Sequence, residues 1–380
     1  MRRVRRGHGV HRRAPLPPLA LAPKRSIDRL PKLVADLAPA DRELFHRLFR
    51  LTASEGRLRV PESMRAWVEE RFGGAKDVER QRLVRVANRW TGEETAFNPL
   101  RGRRPRQTVP PTPHQGGGDP LERPLEMTPE DMFGRIQGEH CVTAANVAKA
   151  VGWHGIIIFR EPDPLAFTRD SLRDCLETAR RWWRAAHGRD RRAVHPLLFW
   201  NCGPGAGASL RHAHVQVMLA RHCHFGGIER LRAAAEQYGA THGSDYFRDL
   251  VRVHAALGCA VTREGVAVLA SLVPIKEREV VLVAPLPADG LADVLYSVLA
   301  CYRDRLAVRS FNLALFGSPL AATEEDWRGF PLVVRLVQRS GLPGQGSGGA
   351  TSDIGGMELF AASIVSHDPF EVAEALAASL

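Results

Sequence analysis

The feature that most constrains the fold of this chain is a glycine-rich turn between two apolar segments. Residues 197–201 and 215–220 are rich in residues that favour β-strands, and the run Gly-Pro-Gly-Ala-Gly-Ala-Ser lies between them at 203–209. Glycine adopts the backbone angles of tight turns without steric cost, so the two segments are predicted to be strands that lie close together. The chain must therefore build a sheet around this turn.

Two parts of the chain share one order of predicted elements. The first copy has a strand at 155–160, a helix at 168–187 capped by Thr168, and strands at 197–201 and 215–220. The second copy has a strand at 279–284, a helix at 289–306, a strand at 311–316, a turn at Gly317 and a strand at 332–337. A helix at 370–380 closes the chain. The shared order predicts an internal duplication.

The chain ahead of these copies is predicted to form two further regions. Residues 1–25 carry eight basic and no acidic side chains, which is typical of a flexible, solvated tail. Residues 26–94 place apolar side chains at helical spacing, as in Leu44, Leu48 and Leu51, and are predicted to form a helical extension. The rest divides into halves at 95–225 and 226–380, with Pro- and Gly-rich loops at 101–124 and 341–350.

Charge and composition disfavour several classes of protein. The net charge is +11, and because the tail holds eight of these charges, nucleic acid is disfavoured as the main partner. Three prolines between residues 14 and 22 interrupt the apolar region that a signal peptide needs, so a cytoplasmic location is predicted.

The apolar stretches at 156–159 and 280–284 are far shorter than the roughly 20 residues of a membrane span. The six scattered cysteines are predicted to be free thiols.

The strand after the glycine-rich turn carries the chemistry. Alternation along a strand places His212, His214 and Gln216 on one face, beside a turn whose N–H groups can bind phosphate oxygens. A neutral imidazole is a nucleophile toward phosphorus, and a neighbouring acceptor can fix its tautomer. Gln216 and Ser209 can donate hydrogen bonds to the charge that develops on the phosphate. We therefore predict His214 as nucleophile, with His212 orienting it.

This segment resembles the active-site signature of a known superfamily. Gly207-Ala208-Ser209 followed by His212-Ala213-His214-Val215-Gln216 is similar to the histidine-triad signature of galactose-1-phosphate uridylyltransferases and of diadenosine tetraphosphate and ADP-sugar phosphorylases. The resemblance implies that His214 becomes nucleotidylated. It also implies transfer rather than hydrolysis, because hydrolytic members have histidine where this chain has Gln216.

The same resemblance implies a fold class and a nucleotide site. The fold implied is α+β (α/β-like): two histidine-triad-like halves with mostly antiparallel sheet and flanking helices, preceded by the helical extension. Residues 97–105 resemble an early Asn-Pro segment that reaches the nucleotide, and Asn146 matches an asparagine near the nucleoside. The predicted nucleotide-binding residues are Asn98, Arg101, Arg104, Asn146, Asn201, Gly207 and Ala208.

The chain departs from the family at its zinc site. Typical uridylyltransferases bind zinc through a Cys-x-x-Cys pair, a histidine after a Pro-Asp step, and the first histidine of the motif. This chain has no such cysteine pair, Pro164 follows its Pro162-Asp163 step, and only His212 remains. No zinc or other cofactor is therefore expected. In the second half, Arg335 and Arg339 stand where typical members have histidines, which puts a galactose substrate in question.

Other motifs are interpreted as structural or are left open. His222 and His224 flank Cys223, but a metal site there is not favoured because neighbouring strand residues point to opposite faces. His154 is predicted to be structural, and the tryptophans at 182, 183 and 200 are predicted to pack in the core. Residues 352–358 are equally consistent with a substrate contact and with a capped turn.

The function predicted is transfer of a nucleoside monophosphate from an NDP-sugar or a dinucleoside polyphosphate to a phosphate or sugar-phosphate acceptor. One alternative is a histidine-triad hydrolase of the same donors, and another is a nucleotide- or RNA-binding protein without catalysis. The base and the acceptor stay open. A homodimer is one option for the assembly, since dimers are common in the family.

Overall fold

A nine-stranded antiparallel sheet forms the centre of the molecule, whose computed structural model describes residues 25–103, 118–339 and 362–380. Its strands, in chain order, are β4 (Cys141–Ala145), β5 (Trp153–Phe159), β6 (His195–Cys202), β7 (His214–Ala220), β8 (Ala260–Arg263), β9 (Val266–Ala270), β10 (Val280–Ala284), β11 (Phe311–Phe316) and β12 (Leu332–Gln338). Their order across the sheet is β4-β5-β7-β6-β11-β12-β10-β9-β8. The three strands that precede β4 belong to a second sheet.

Six of the nine strands belong to two copies of one unit, which meet near the middle of the sheet. The first copy runs β5, helix α6 (Arg169–Arg189), β6, turn, β7, and the second runs β10, helix α9 (Leu291–Ala300), β11, turn, β12. The copies join where β6 pairs with β11, from Cys202 opposite Phe311 to Leu197 opposite Phe316. The structure confirms the order of elements on which the predicted duplication rested. We call the β6–β11 pairing the seam.

Helices cover one face of this sheet. Thr168 caps α6 as predicted: its side chain accepts from Ser171 N while Ser171 Oγ accepts from Thr168 N. The buried face of α6 includes Trp182 and Trp183, which pack with Trp200 of β6 in one core cluster. The same cluster includes residues of α9 and of the closing helix α10 (Pro369–Ala377). The predicted core role of these tryptophans is confirmed.

The opposite face is covered in part. Leu121 packs in a small core cluster with residues of β4 and β5, and a larger cluster covers a second part of this face. There, Leu197, Met218 and Phe316 belong to a core cluster with helices that precede and follow the first copy. Besides α10, the α-helices that the described residues form outside the two copies are α1 (Leu30–Ala35), α2 (Pro39–Leu48), α3 (Arg65–Phe72), α4 (Ala75–Glu79), α5 (Pro124–Met127), α7 (Gly226–His242) and α8 (Tyr246–Leu257). The part of this face that carries His214 stays half-open.

The N-terminal extension is not purely helical, which corrects the prediction for residues 26–94. It also contains β1 (Phe49–Arg57) and β2 (Arg80–Asn88), which pair as a long antiparallel hairpin. Short strands β3 (Glu94–Phe97) and β13 (Ala362–Val365) complete a four-stranded sheet, with β3 and β13 parallel. Leu51 matched the helical spacing of Leu44 and Leu48, but it lies on β1, where pairing with β2 overrides the local pattern.

Some predicted segments lie outside the described residues. These are the tail up to residue 24, residues 104–117 of the first loop, and residues 340–361, which include the 341–350 loop and the 352–358 motif. Within the described residues, no helix has both the length and the apolar character needed to cross a membrane.

Candidate active site

Strand register places the predicted site residues in two adjacent rows on the half-open face. Gln216 lies opposite Phe199, and Asn201 lies opposite Asn312 across the seam. The same register, continued by two residues, sets His214 opposite Asn201. One row therefore holds His214, Asn201 and Asn312, and the next row holds Gln216. Neighbouring strands lie about 4.8 Å apart, so these side chains lie beside one another on the half-open face, and we call the space in front of them the cleft.

The hydrogen bond of His214 fixes its tautomer. Its Nδ1 lies 2.8 Å from the backbone oxygen of His212. A carbonyl oxygen only accepts, so Nδ1 carries the proton of the neutral ring and Nε2 keeps its lone pair. The imidazole is half-buried at the first residue of β7. It therefore presents an unprotonated nitrogen at the mouth of the cleft.

His212 orients the His214 ring through its backbone carbonyl group. Its ring is buried, and its Nε2 lies 2.7 Å from the carbonyl oxygen of Phe159, to which it must donate. Its backbone N–H donates to Asp119 Oδ2 at 3.2 Å. These bonds hold the carbonyl group that orients His214, in agreement with the role predicted for His212, although that role stays a prediction.

The glycine-rich turn is shaped to expose backbone donors. Gly203 and Gly207 have φ angles of 81° and 82°, in the region that side chains disfavour. A Cβ at Gly203 would also lie 2.8 Å from the carbonyl oxygen of Arg309. Within the described part of the chain, no hydrogen bond occupies the backbone N–H groups of residues 207–211. These free donors, with the exposed Ser209, can bind an anion.

An asparagine of the second half holds this turn in place. Asn312 Nδ2 donates to Asn201 Oδ1 at 2.6 Å and to the backbone oxygen of Ala206 at 2.9 Å. Both of its amide hydrogens are thus used, one on β6 and one on the turn. Asn312 was not among the predicted site residues. Its position on β11 could be read from the sequence, but its pairing with Asn201 requires the seam register.

Gln216 is bonded to a residue that was predicted to be structural. Its Oε1 lies 3.0 Å from Nε2 of His154, at the start of β5. Asn146 lies beside this pair, with its Nδ2 3.1 Å from the same nitrogen, while its Oδ1 accepts from Ala148 N. Asn146 is therefore within reach of the Gln216 end of the cleft, as its predicted nucleotide contact would require. His154 belongs to the site through Gln216.

The asparagine of the Asn-Pro segment forms its hydrogen bonds away from the cleft. Asn98 donates to Gln81 Oε1 at 3.0 Å and accepts from Leu100 N, so its side chain is engaged in its own turn at the end of β3. Arg101 lies in the following 3₁₀ helix, Pro99–Arg103. Arg104 lies outside the described residues. The hydrogen bonds of Asn98 in the described structure do not reach the cleft, and the predicted nucleotide contacts of this segment stay predictions.

The described residues do not fit the family's zinc site. The Pro162–Pro164 step does lie against the motif, because Ala213 N donates to the Pro162 oxygen at 2.9 Å. However, Pro164 has no ligand atom and His212 Nε2 is bonded to Phe159. His224 Nε2 likewise donates to Gly317 O at 2.9 Å, and burial lowers the pKa of its ring to about 4. No group of three or more His, Cys, Asp or Glu within the described ranges is arranged to hold a metal ion.

The matching face of the second half is closed by ion pairs. Arg335 of β12 lies in the row of Gln216 and contacts Glu279 and Glu93, both at 2.6 Å. Burial raises the pKa of Glu279, and the guanidinium opposes that effect. Glu93 comes from the extension, so this cluster also connects the two sheets. Arg335 offers no free cation to a ligand.

Comparisons with known proteins identify the fold. No family model matches the sequence, and no curated protein matches it. The structure is similar to an ADP-glucose phosphorylase from Arabidopsis thaliana with bound ADP-glucose, with TM-score 0.60 and 15% identity over 76% of this chain and 97% of that chain. It is also similar to a uridylyltransferase, with TM-score 0.55 and 15% identity over 77% and 97%. A third similar structure is a GalT-like protein from Arabidopsis thaliana, with TM-score 0.54 and 17% identity over 67% and 89%. The chain has the fold of these structures, which confirms the predicted α+β class.

Proposed function

We propose that this chain is a nucleotidyltransferase that moves a nucleoside monophosphate from an NDP-sugar or dinucleoside polyphosphate to a phosphate or sugar-phosphate acceptor. The observation that carries the proposal is the His214 tautomer: Nδ1 is bonded to the His212 carbonyl, and Nε2 is free beside a turn with unoccupied amides. The names of the similar structures, an ADP-glucose phosphorylase and a uridylyltransferase, describe the same class of reaction.

In the first step, His214 Nε2 attacks the α-phosphorus of the donor. A P–N bond forms, and the bond from phosphorus to the bridging oxygen breaks, so the sugar phosphate or nucleotide leaves with the electron pair. The ring becomes cationic, and the bond from Nδ1–H to the His212 carbonyl stabilises that charge. The amides of residues 207–211, Ser209 and the Gln216 amide would donate to the non-bridging oxygens.

In the second step, an oxygen of the acceptor phosphate attacks the nucleotidyl-His214. A P–O bond forms and the P–N bond breaks, which returns the electron pair to Nε2 and restores the neutral ring. The same donors serve both steps because the phosphorus stays beside the turn. Neither step uses a zinc ion at the family's usual site, since His212 and Pro164 do not supply its ligands.

The test is the mass of the intact protein after brief incubation with a donor and no acceptor. ADP-glucose is used first, because a similar structure binds it, followed by UDP-glucose, GDP-sugars and diadenosine tetraphosphate. The wild type should gain one nucleoside monophosphate, and the size of the gain identifies the base. His214→Asn should gain none while melting at the same temperature. His222→Asn, which changes an exposed histidine eight residues away, is the matched control and should gain the adduct.

Other outcomes separate the alternatives. Release of nucleoside monophosphate without any acceptor would indicate a hydrolase. Saturable nucleotide binding without adduct or product would indicate a binding protein without catalysis, and an adduct on His214→Asn would contradict the assignment of the nucleophile.

A further inference from the structure

We infer that His154 positions the carboxamide of Gln216 for nucleotidyl transfer, a role that rests on the proposed function of His214. His154 does not lie in the glycine-rich motif, and its ring is buried, with 3% of the residue exposed. Its Nε2 lies 3.0 Å from Gln216 Oε1. The two residues sit on neighbouring strands, since Ile156 of β5 is opposite Gln216.

The backbone settles which nitrogen of His154 carries the proton. Ala150 N lies 3.0 Å from His154 Nδ1, and a backbone N–H can only donate. Nδ1 is therefore an acceptor, and the proton of the neutral ring is on Nε2. Nε2–H then donates to Gln216 Oε1. Because Nε2 is protonated, the nearby Asn146 Nδ2 cannot donate to it and contributes packing instead.

This bond decides which end of Gln216 faces the cleft. With Oε1 held by His154, the Nε2 amide group is the free end, and in the described residues no hydrogen bond occupies it. Its two N–H groups suit the non-bridging oxygens of a phosphate. A carboxamide turned the other way would present an oxygen lone pair to an anion. His154 thus selects the donating orientation of Gln216.

The surroundings keep the His154 ring in place and neutral. Lys149 Nζ donates to the backbone oxygen of His154 at 2.8 Å and lies 3.8 Å from Asp131. Asp131 in turn accepts from Trp182 Nε1 at 2.7 Å. Burial lowers the pKa of the His154 ring, which favours the neutral form that the Ala150 bond requires. The positioning residue is therefore anchored from the core side of the sheet.

A double-mutant cycle on the rate of adduct formation tests the inference. His154→Phe keeps a ring without the N–H, and Gln216→Met keeps a similar length without the amide. His154→Phe should slow adduct formation about 10-fold with Gln216 present, but less than about 2-fold in the Gln216→Met background. Equal slowing in both backgrounds would show that the ring matters only for packing and would overturn the inference. His154→Gln, whose amide can donate to Gln216, should restore the rate to within about 3-fold of wild type.

A second readout does not depend on catalysis. Long-range ¹⁵N NMR of the wild-type histidine rings reports which nitrogen of His154 is protonated, and Nε2–H is expected. A ring protonated at Nδ1 would overturn the inference whatever the activity. If wild type forms no adduct, the proposed function fails, and the same cycle is measured as the affinity for AMP and UMP. The inference then stands if His154→Phe weakens binding only when Gln216 is present, and falls if it weakens binding equally in both backgrounds.

Discussion

The two copies of the repeated unit use the same strands for different purposes. In the first copy, the turn between β6 and β7 leaves amides free and His214 keeps an unprotonated nitrogen at the cleft. In the second copy, β12 carries Arg335 in the corresponding part of the sheet face, and two carboxylates of the protein occupy its guanidinium. The difference shows that the scaffold does not determine chemistry. What matters is whether polar groups are left for a ligand or are satisfied internally.

The largest effect expected from a single substitution comes from breaking the ion cluster of the second copy. Arg335→Met leaves Glu279 fully buried, and Glu93 loses the same partner. Removing one partner of a buried ion pair costs about 3–5 kcal/mol. We expect the free energy of unfolding in urea to fall by that amount, while the molecules that remain folded form the nucleotidyl adduct at the wild-type rate.

Arg328→Met is the control for this prediction. Arg328 also pairs with a carboxylate, Asp326, but its side chain is 91% exposed. Exposed pairs contribute about 0–1 kcal/mol, so its unfolding should be nearly unchanged. Loss of the adduct in folded Arg335→Met would contradict the contrast between a copy that leaves polar groups for a ligand and a copy that satisfies them internally.

Acid should destabilise the protein through buried histidines that lie outside the row of His214. Burial lowers the pKa of His224 and of His254 to about 4, well below the ordinary value of 6.5. Between those values the unfolded chain binds protons that the folded chain does not, so stability falls as pH falls from about 6.5 to about 4. Each ring accounts for about 3 kcal/mol of this loss, and above pH 6.5 the contribution is complete.

Urea unfolding at pH 7 and pH 5 measures this effect. His254 donates to the Leu250 oxygen and accepts from Leu272 N, so His254→Asn should be less stable at pH 7. It should nevertheless lose less stability than wild type between the two pH values. His46→Asn, at an exposed histidine, should follow the wild-type curve. An unchanged slope in His254→Asn would contradict the assignment of a buried neutral imidazole.

A smaller effect is expected at the seam. Asn312→Ala removes the hydrogen bonds to Asn201 Oδ1 and to the Ala206 oxygen, and the second of these is the hydrogen bond from β11 to the glycine-rich turn. The bond to the turn is worth about 1 kcal/mol, so nucleotide affinity should fall about 5- to 10-fold in equilibrium dialysis. Ser310→Ala also removes a bond across the seam, to the Cys202 oxygen, but leaves the hydrogen bond from Asn312 to the Ala206 oxygen in place. Equal losses in the two variants would mean that the seam, rather than the turn, sets affinity.

The smallest effect is expected from metal removal. Because the described residues cannot rebuild the family's zinc site around His212, dialysis against a strong chelator should leave the adduct rate and the melting temperature within error of the untreated protein. Activity that disappears with the chelator and returns with zinc alone would contradict this. Metal analysis of the protein before and after dialysis provides the control.

The sequence predicted the site best where the residues that carry the chemistry lie on one strand and follow its alternation. The alternation of His214 and Gln216 predicted their shared face of β7, whereas His212, predicted to share it, precedes this strand and its ring is buried. The apolar segments predicted both copies of the unit. The extension was predicted less well because β1 and β2 depend on each other: Thr52 lies opposite Arg85, 33 positions along the chain. The parallel pairing of β13 with β3 joins even more distant residues, such as Val365 and Phe97.

Two residues of the site could not be predicted for the same reason. His154 and Asn312 carry no motif, and each gains its role from a partner on another strand. Their relevance depends on register, on the tautomer that Ala150 imposes, and on the pairing at the seam. A pattern that alternates within one strand contains none of this information.

The two hydrogen bonds of Asn312 couple phosphate binding at the turn to the pairing of the two copies at the seam. One amide group contacts both the strand that joins the copies and the turn proposed to receive the phosphate. Coupling between two sites is reciprocal. If one geometry of the seam strengthens phosphate binding at the turn, phosphate binding must in turn stabilise that geometry of the seam. Phosphate bound at the turn of the first copy would thus stabilise the packing of the two copies against each other. The second copy would take part in phosphate recognition through one side chain, that of Asn312.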